Sequence, residues 1–396
     1  MMQISPEIQL FIREHSSDDV RVLALQAKKY PDIDMPTVIT QIAGRKVAAE
    51  KIPSWWEIEK IWYPKHLSLE QCSSEITARY KARLLQGDSL TDLTGGFGID
   101  CSFLATGFKS ATYVERQEEL CEIAAHNFPV LNLNHINIKN EDGVTYLQAM
   151  SPVDCLFLDP ARRNEHGGKT VAISDCEPNV AELEELLLQK ANRVMIKLSP
   201  MLDLSLALKE LKQTQEVHIL SVNNECKELL ILLGQTSPAE ISIHCVNLFT
   251  KGTQKEQHFV FTREQEQCSE CTYTDSLETY LYEPNASLLK AGAFRSIAAA
   301  YPVRKLHPNS HLYTSDTFIE NFPGRIFRIV NQCSFNKKEE KENLEDLKKA
   351  NVTVRNFPAT VAELRKRIHL AEGGDTYLFA STLNNGQKVL IRCEKV

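Results

Sequence analysis

Residues 90–101, Leu90-Thr-Asp-Leu-Thr-Gly-Gly-Phe-Gly-Ile-Asp-Cys101, decide the fold of this chain. A short apolar strand ends in an acid, Asp92. Thr94 and the glycines Gly95, Gly96 and Gly98 form a turn, and an amphipathic helix is expected to start near Asp100. This is a strand–turn–helix of the nucleotide-binding kind: glycines let a ligand come close to the backbone, and a helix N-terminus favours electron-rich groups. Cys101 stands where a dinucleotide fingerprint has its third glycine, so that pattern is incomplete. Glycine turns also end ordinary helices, so the stretches that follow must choose between the two readings.

They fall in the order that a βαβ series requires. Ala111-Thr-Tyr-Val-Glu115 is a second apolar run ending in an acid, and Glu115 is placed to accept hydrogen bonds from ribose hydroxyls. Residues 117–128 suit a helix with Leu120, Ile123, Ala124 and Phe128 on one face. His135-Ile-Asn-Ile-Lys-Asn-Glu-Asp142 reads as a third strand, with Asp142 placed to accept from an adenine amino group. Either acid alone reads as a solvated loop residue; the ordered set with the glycine turn favours binding. Val153-Asp-Cys-Leu-Phe-Leu-Asp159 is strongly apolar, as a buried parallel strand is, and runs into Pro160-Ala-Arg-Arg163.

The glycine turn resembles motif I of class I S-adenosylmethionine (SAM) methyltransferases. That resemblance implies SAM as cofactor, held by Asp92, Thr94, Gly95, Gly96, Gly98, Glu115 and Asp142. Asp159-Pro160 resembles the motif of methyltransferases that modify exocyclic amino groups of bases, in which an Asp or Asn precedes two prolines and an aromatic residue. The resemblance makes Asp159 and the Pro160 carbonyl the catalytic acceptors. This chain departs at Ala161 and has Arg162 in place of the stacking aromatic. An arginine plane stacks on a base and also binds phosphate or carboxylate, so Arg162 and Arg163 are candidate substrate contacts.

Asp159-Pro-Ala-Arg-Arg163, Glu70-Gln-Cys-Ser-Ser-Glu75 and Tyr282-Glu-Pro-Asn-Ala286 together resemble a family of bacterial methyltransferases with a helical N-terminal part, a class I SAM domain, and ferredoxin-like and THUMP-like C-terminal modules. The SAM domain is also similar to the trimethylguanosine synthase group, which methylates guanine N2. The fold class expected is α/β: a Rossmann-like methyltransferase domain with a seven-stranded sheet, a helical N-terminal domain and small α+β modules. The expected boundaries are 1–86, 87–262, 263–325 and 326–396.

Local patterns fill in these parts. Trp55, Trp56 and Trp62 cluster before Tyr63-Pro64, where they either staple the helical part onto the next domain or stack on bases. Residues 71–85 read as a helix leading into the first strand, with Gln71, Ser73 and Ser74 as pocket candidates. Residues 164–175, with Gly167, Gly168 and Lys169, form a loop beside the site that reads as a lid or substrate contact. Strands are expected at 216–222, 228–233, 240–249 and 257–262, the first two as a hairpin, and a helix at 286–300. Asn384-Asn-Gly386 between two apolar strands marks a further hairpin.

A chain of 396 residues suggests two to four domains. It has no apolar run of about 18 residues, so no membrane span is expected, and residues 1–13 lack a secretory pattern. Eleven dispersed cysteines fit reduced thiols in the cytoplasm. Cys268-Ser-Glu-Cys271 is a lone pair with no second pair at finger spacing, and no metal is expected. The net charge of −7 weighs against indiscriminate nucleic-acid binding but leaves room for a local basic patch, such as Arg355, Arg365, Lys366 and Arg367. The expected activity is SAM-dependent methyl transfer to RNA, tRNA or rRNA, at an exocyclic base amino group. The alternatives are a catalytically degenerate SAM- or RNA-binding module, and a protein or small-molecule methyltransferase.

Overall fold

The computed structural model describes residues 4–162, 172–236 and 238–396, with only the backbone of Arg162. Arg163 and the glycine-containing part of the loop proposed as a lid lie outside the described residues. The chain divides into two compact units. The first holds Met1–Gln215 and Leu229–Pro238, the second Glu216–Glu228 and Ala239–Val396.

In the first unit the glycine stretch folds as its sequence indicates. Strand β1 (Ser89–Asp92) leads through the turn into a helix at Ile99–Ala105, followed by β2 (Ser110–Glu115), a helix at Glu118–Val130, β3 (Ile136–Asn140), a helix at Gly143–Ala149 and β4 (Val153–Leu158). Strand β5 (Ala191–Leu198) follows the helix Val180–Lys190. All of these strands run parallel: β1 lies between β2 and β4, β3 flanks β2, and β5 flanks β4. The chain thus starts in the middle of the sheet, winds outward to β3, and then crosses to the other side at β4. Between β1 and β4 the order reverses, and in open α/β sheets ligands bind at the carboxyl ends of strands flanking such a switch point. Residues 229–234 add an antiparallel strand on β5. The α/β, Rossmann-like class is as the sequence indicates.

The helical segment ahead of β1 braces this sheet. The helix expected over 71–85 is two: His66–Gln71 and Glu75–Ala82. The break frees Ser73, whose hydroxyl donates to the Asp100 carboxylate at 2.7 Å instead of lying on a helix face. Trp55 is buried and meets the Phe97 ring edge-on at 5.2 Å, in a cluster with Ile52, Tyr63, Leu69, Ile99 and Ile123. Trp62 stacks on His126 at 3.8 Å, whereas Trp56 is exposed with the Arg45 guanidinium over its ring. The stapling role therefore falls to Trp55 and Trp62.

The second unit contains β6 (Thr214–Val222, of which the unit takes residues 216–222), β7 (Glu225–Gly234, of which it takes 225–228), β8 (Ser242–Leu248) and β9 (Glu256–Thr262). Asn223 and Asn224, between β6 and β7, are both left-handed, at φ +49° and +69°. Strand β8 pairs parallel with β6 and antiparallel with β9. The remainder builds a seven-stranded sheet, with helices Lys337–Leu344 and Val361–Ile368. The Asn-Gly hairpin is present, Ala371–Thr382 against Lys388–Lys395. The helix expected over 286–300 is interrupted: Ala286–Ala291 ends at Gly292, whose φ of +78° is left-handed, and Arg295–Ala300 starts afresh. No helix among the described residues is long and apolar enough to cross a membrane.

Gly44 shows how closely the helical segment is packed. A Cβ there would lie 2.4 Å from Cβ of Tyr63, next to that residue's backbone, which Gln41 grips by two hydrogen bonds. Helix propensity favours alanine at such a position by about 1 kcal/mol. The clash outweighs this, and Gly44→Ala is expected to destabilise the protein by roughly 1–3 kcal/mol in denaturant unfolding.

Candidate active site at the strand ends

The glycine turn is shaped by what lies under it. Gly95 packs on the Tyr113 ring so tightly that a Cβ would come within 2.2 Å of it. Gly96 and Gly98 have φ of +54° and +87°, which only glycine adopts without strain, and a Cβ on Gly96 would meet nothing nearer than 3.8 Å. The turn is closed against its own ring and open on the Gly96 side. The N–H of Gly96 donates to Glu115 Oε2 at 2.9 Å, and the N–H of Gln117 to Oε1 at 2.8 Å. Glu115 is thereby fixed at the tip of β2, with lone pairs left on both oxygens.

Asp92 is 1 % exposed, accepts the Thr94 N–H at 3.0 Å with Oδ1, and leaves Oδ2 buried without a hydrogen-bond partner. Burial pushes its pKa up to about 8, partly offset by the Thr94 N–H and reinforced by the neighbouring acids Asp100, Asp159 and Glu115. Thr94 reaches across the switch point: its Oγ1 accepts the Asp159 N–H at 2.6 Å, tying the end of β4 to the turn after β1. Pro160 is buried. Asp142 is exposed and caps the helix Gly143–Ala149, its Oδ1 accepting from the N–H groups of Val144 and Thr145 at 3.0 Å. Of Arg162, the backbone pairs in a short ladder with Cys176.

A buried charge cluster completes the site. The Asp100 carboxylate lies between Lys81, at 2.8 Å, and Lys197, at 3.5 Å. Ser73 Oγ joins both lysines, at 2.7 Å from Lys81 and 3.2 Å from Lys197. Lys197 Nζ also donates to Asp159 Oδ2. Lys81 is fully buried, and Asp100 and Lys197 are nearly so. Burial opposes ionisation of Asp100, but Lys81 and Lys197 outweigh it and hold its pKa below the ordinary carboxylate range. Burial raises the Asp159 pKa, and Lys197 acts in the opposite sense.

Of the residues singled out in the sequence, the fold gathers Asp92, Thr94, the glycines, Glu115 and Asp159 at the carboxyl ends of β1, β2 and β4, and sets Asp142 at the start of the helix after β3. Lys81, Asp100 and Lys197, which lie beside them, were not among the residues singled out as site candidates. A lysine inside the apolar run Val194-Met-Ile-Lys-Leu198 was the available signal for one of them.

The chain is 35% identical to a protein from Porphyromonas gingivalis W83 whose crystal structure is described as that of a candidate methyltransferase; the match covers 98% of each chain, with a TM-score of 0.87. This chain belongs to the family of that protein. A ferredoxin-like domain model matches residues 280–323 and a THUMP domain-like model residues 324–395. Two further solved structures are similar over 40% of this chain: an rRNA methylase from Streptococcus thermophilus (14% identity, 93% of that chain, TM-score 0.30), and a candidate methyltransferase from Streptococcus mutans in complex with SAH (14% identity, 96% of that chain, TM-score 0.30). No curated protein matches the sequence.

Three arginines of the basic C-terminal patch are engaged internally. Arg355 pairs with Glu283 at 3.2 Å, Arg365 with Glu372 at 3.7 Å and Arg367 with Glu340 at 2.6 Å, while Lys366 is exposed.

The raised Asp92 pKa has a testable sign. The folded state holds the proton more tightly than an unfolded chain, whose carboxyl titrates at 3.8. The resulting stabilisation is complete below that pH, declines as pH rises, and is gone above about 8. The parent is expected to lose stability relative to Asp92→Asn across this window in denaturant titrations without ligand. Parallel stability–pH curves would contradict the assignment.

Proposed function

We propose that this protein is a SAM-dependent methyltransferase acting on RNA, tRNA or rRNA, at an exocyclic amino group of a base. The observation that carries the reading is the hydrogen bond from the Asp159 backbone N–H to Thr94, which ties the residue bearing this carboxylate to the glycine turn across the switch point. The residues present fit the cofactor. Gly96 leaves an open side of the turn, and Glu115 retains acceptor capacity toward ribose hydroxyls. Asp92 Oδ2 is a buried acceptor or hydroxyl lacking a partner, which a polar ligand group would satisfy. Asp142 is assigned to the adenine end.

When bound, SAM supplies an electrophilic methyl group. A neutral amino nucleophile needs orientation more than a strong base, and orientation contributes much of the rate in such a displacement. Asp159 and the Pro160 carbonyl accept hydrogen bonds from the amino group and aim its lone pair. Asp159 also offsets the positive charge that develops on nitrogen. Lys197 holds Asp159 Oδ2, so Oδ1 is the oxygen assigned to the substrate. Arg162 and Arg163 are assigned to the base and its phosphate. The guanine-N2 similarity makes guanine the first base to test, and the THUMP-like match supports RNA as the carrier. A cytoplasmic setting belongs to the same reading, as does the division into a helical part (1–86), a SAM domain (87–262) and two modules (263–325 and 326–396).

The test is methylation by purified protein with tritiated SAM and total RNA. Label in RNA is expected. Cofactor binding without label in any acceptor favours the binding-module alternative, and label in protein or small molecules favours the other. Asp159→Ala is expected to retain SAM binding by calorimetry and to lose activity by about a hundredfold or more. A folded variant methylating at the parental rate would remove Asp159 from catalysis. Glu115→Ala is expected to weaken SAM binding with little effect on folding; unchanged affinity would remove Glu115 from the ribose.

A further inference from the structure

The second unit carries a cluster of metal-ligating side chains that methyl transfer does not use. Glu216 and His218 alternate along β6, so both side chains lie on one face of the sheet. The parallel register with β8 sets His244 directly beside His218 and Ser242 beside Glu216. On the other side of β8, His258 of β9 pairs with Val246, one diagonal step from His244 on the same face. The pairing of three strands therefore gathers one carboxylate and three imidazoles that lie far apart in sequence.

Their geometry is already close to that of a coordination shell. One donor atom each from Glu216, His218 and His244 lies within 4.8 Å of the others. His218 Nε2 is 3.2 Å from Glu216 Oε2, and His244 Nδ1 is 3.1 Å from His258 Nε2. Ligands about 2.0–2.1 Å from a tetrahedral zinc ion are separated by roughly 3.3 Å, which matches both distances. The His218 and His244 rings stack at 4.3 Å, which keeps the two imidazoles side by side on this face. His218 is buried at the base of the cluster, while His258 is exposed at its rim.

We propose that Glu216, His218, His244 and His258 bind one divalent transition-metal ion of the zinc type, which clips β6, β8 and β9 together. Imidazole and carboxylate donors suit zinc and its first-row neighbours, and a set of four protein ligands makes a closed, structural site. The sequence points to no metal because the Cys268–Cys271 pair has no second pair at finger spacing. Here the spacing is supplied by strand register. The proposal is independent of the methyltransferase reading.

The experiment uses the full chain, stripped with chelator and dialysed against zinc. The parent is expected to retain one zinc per chain, to rise in melting temperature with zinc by mass action, and to give the intense visible spectrum of four-coordinate cobalt(II) when cobalt replaces zinc. His244→Ala and Glu216→Gln are each expected to bind zinc at least about tenfold more weakly. Two variants are used, with folding checked by circular dichroism, so that misfolding of one leaves the other decisive. A parent that retains no stoichiometric zinc, or a folded variant that binds it as tightly as the parent, overturns the site.

Discussion

The Asp100 carboxylate, held between Lys81 and Lys197, is the constraint on which the site depends. It joins four pieces of chain: the helix Glu75–Ala82, the Ser73 break before it, the helix that follows the glycine turn, and strand β5. Burying such charges costs several kcal/mol per ion, and removing one partner of a buried pair typically costs about 3–5 kcal/mol. The arrangement is tolerable because its charges balance: Lys81 and Lys197 face Asp100 and Asp159, and Ser73 bridges the two ammonium groups. Asp92 lies outside this balance. Buried and surrounded by Asp100, Asp159 and Glu115, it keeps its proton up to about pH 8.

The same cluster fixes the geometry of the glycine turn. Asp100 sits in the first turn of the helix that the glycines open, so anchoring its carboxylate anchors the helix N-terminus. Phe97 is pinned from the other side by Trp55, Gly95 rests on Tyr113, and Thr94 holds the Asp159 N–H. Gly96 is held as well, by its N–H to Glu115 and by its carbonyl from the Tyr113 hydroxyl, and only the direction a Gly96 Cβ would take is open. A turn held in this way needs little rearrangement when a ligand arrives, which is the condition under which positioned dipoles contribute most.

Much of this was legible in the sequence. The βαβ order follows from apolar runs ending in Asp92, Glu115 and Asp159, because strand period and terminal acids are local properties. The helix face Leu120, Ile123, Ala124 and Phe128 is buried as its spacing indicates. What sequence could not give is whatever depends on distant segments meeting. Lys81 and Asp100 are ordinary charged residues until a helix break at Ser73 turns them toward each other. The break itself competes with a continuous helix by offering Ser73 a charged partner, and propensity carries no record of that. The ion pairs of Arg355, Arg365 and Arg367 were hidden for the same reason, since Glu283, Glu372 and Glu340 come from elsewhere in the chain. The interruption at Gly292 was written in a glycine that an apolar helical pattern outweighed.

Lys197 bears on how the departure from the amino-methyltransferase motif should be understood. In the motif that Asp159-Pro160 resembles, the acid is followed by two prolines and a base-stacking aromatic residue. This chain has Ala161 and Arg162 in place of the second proline and the aromatic. Here Asp159 is instead held from outside its own segment, by Thr94 at its backbone and by Lys197 at its carboxylate. Lys197 also favours the ionised form against the effect of burial. A carboxylate restrained at both ends makes a better fixed acceptor than a mobile base, and a fixed acceptor is what an amino nucleophile requires. In the function proposed above, the second proline and the aromatic are replaced at the positions assigned to gripping the substrate, while Asp159, the residue proposed to aim the nucleophile, is present and held on both its backbone and its carboxylate.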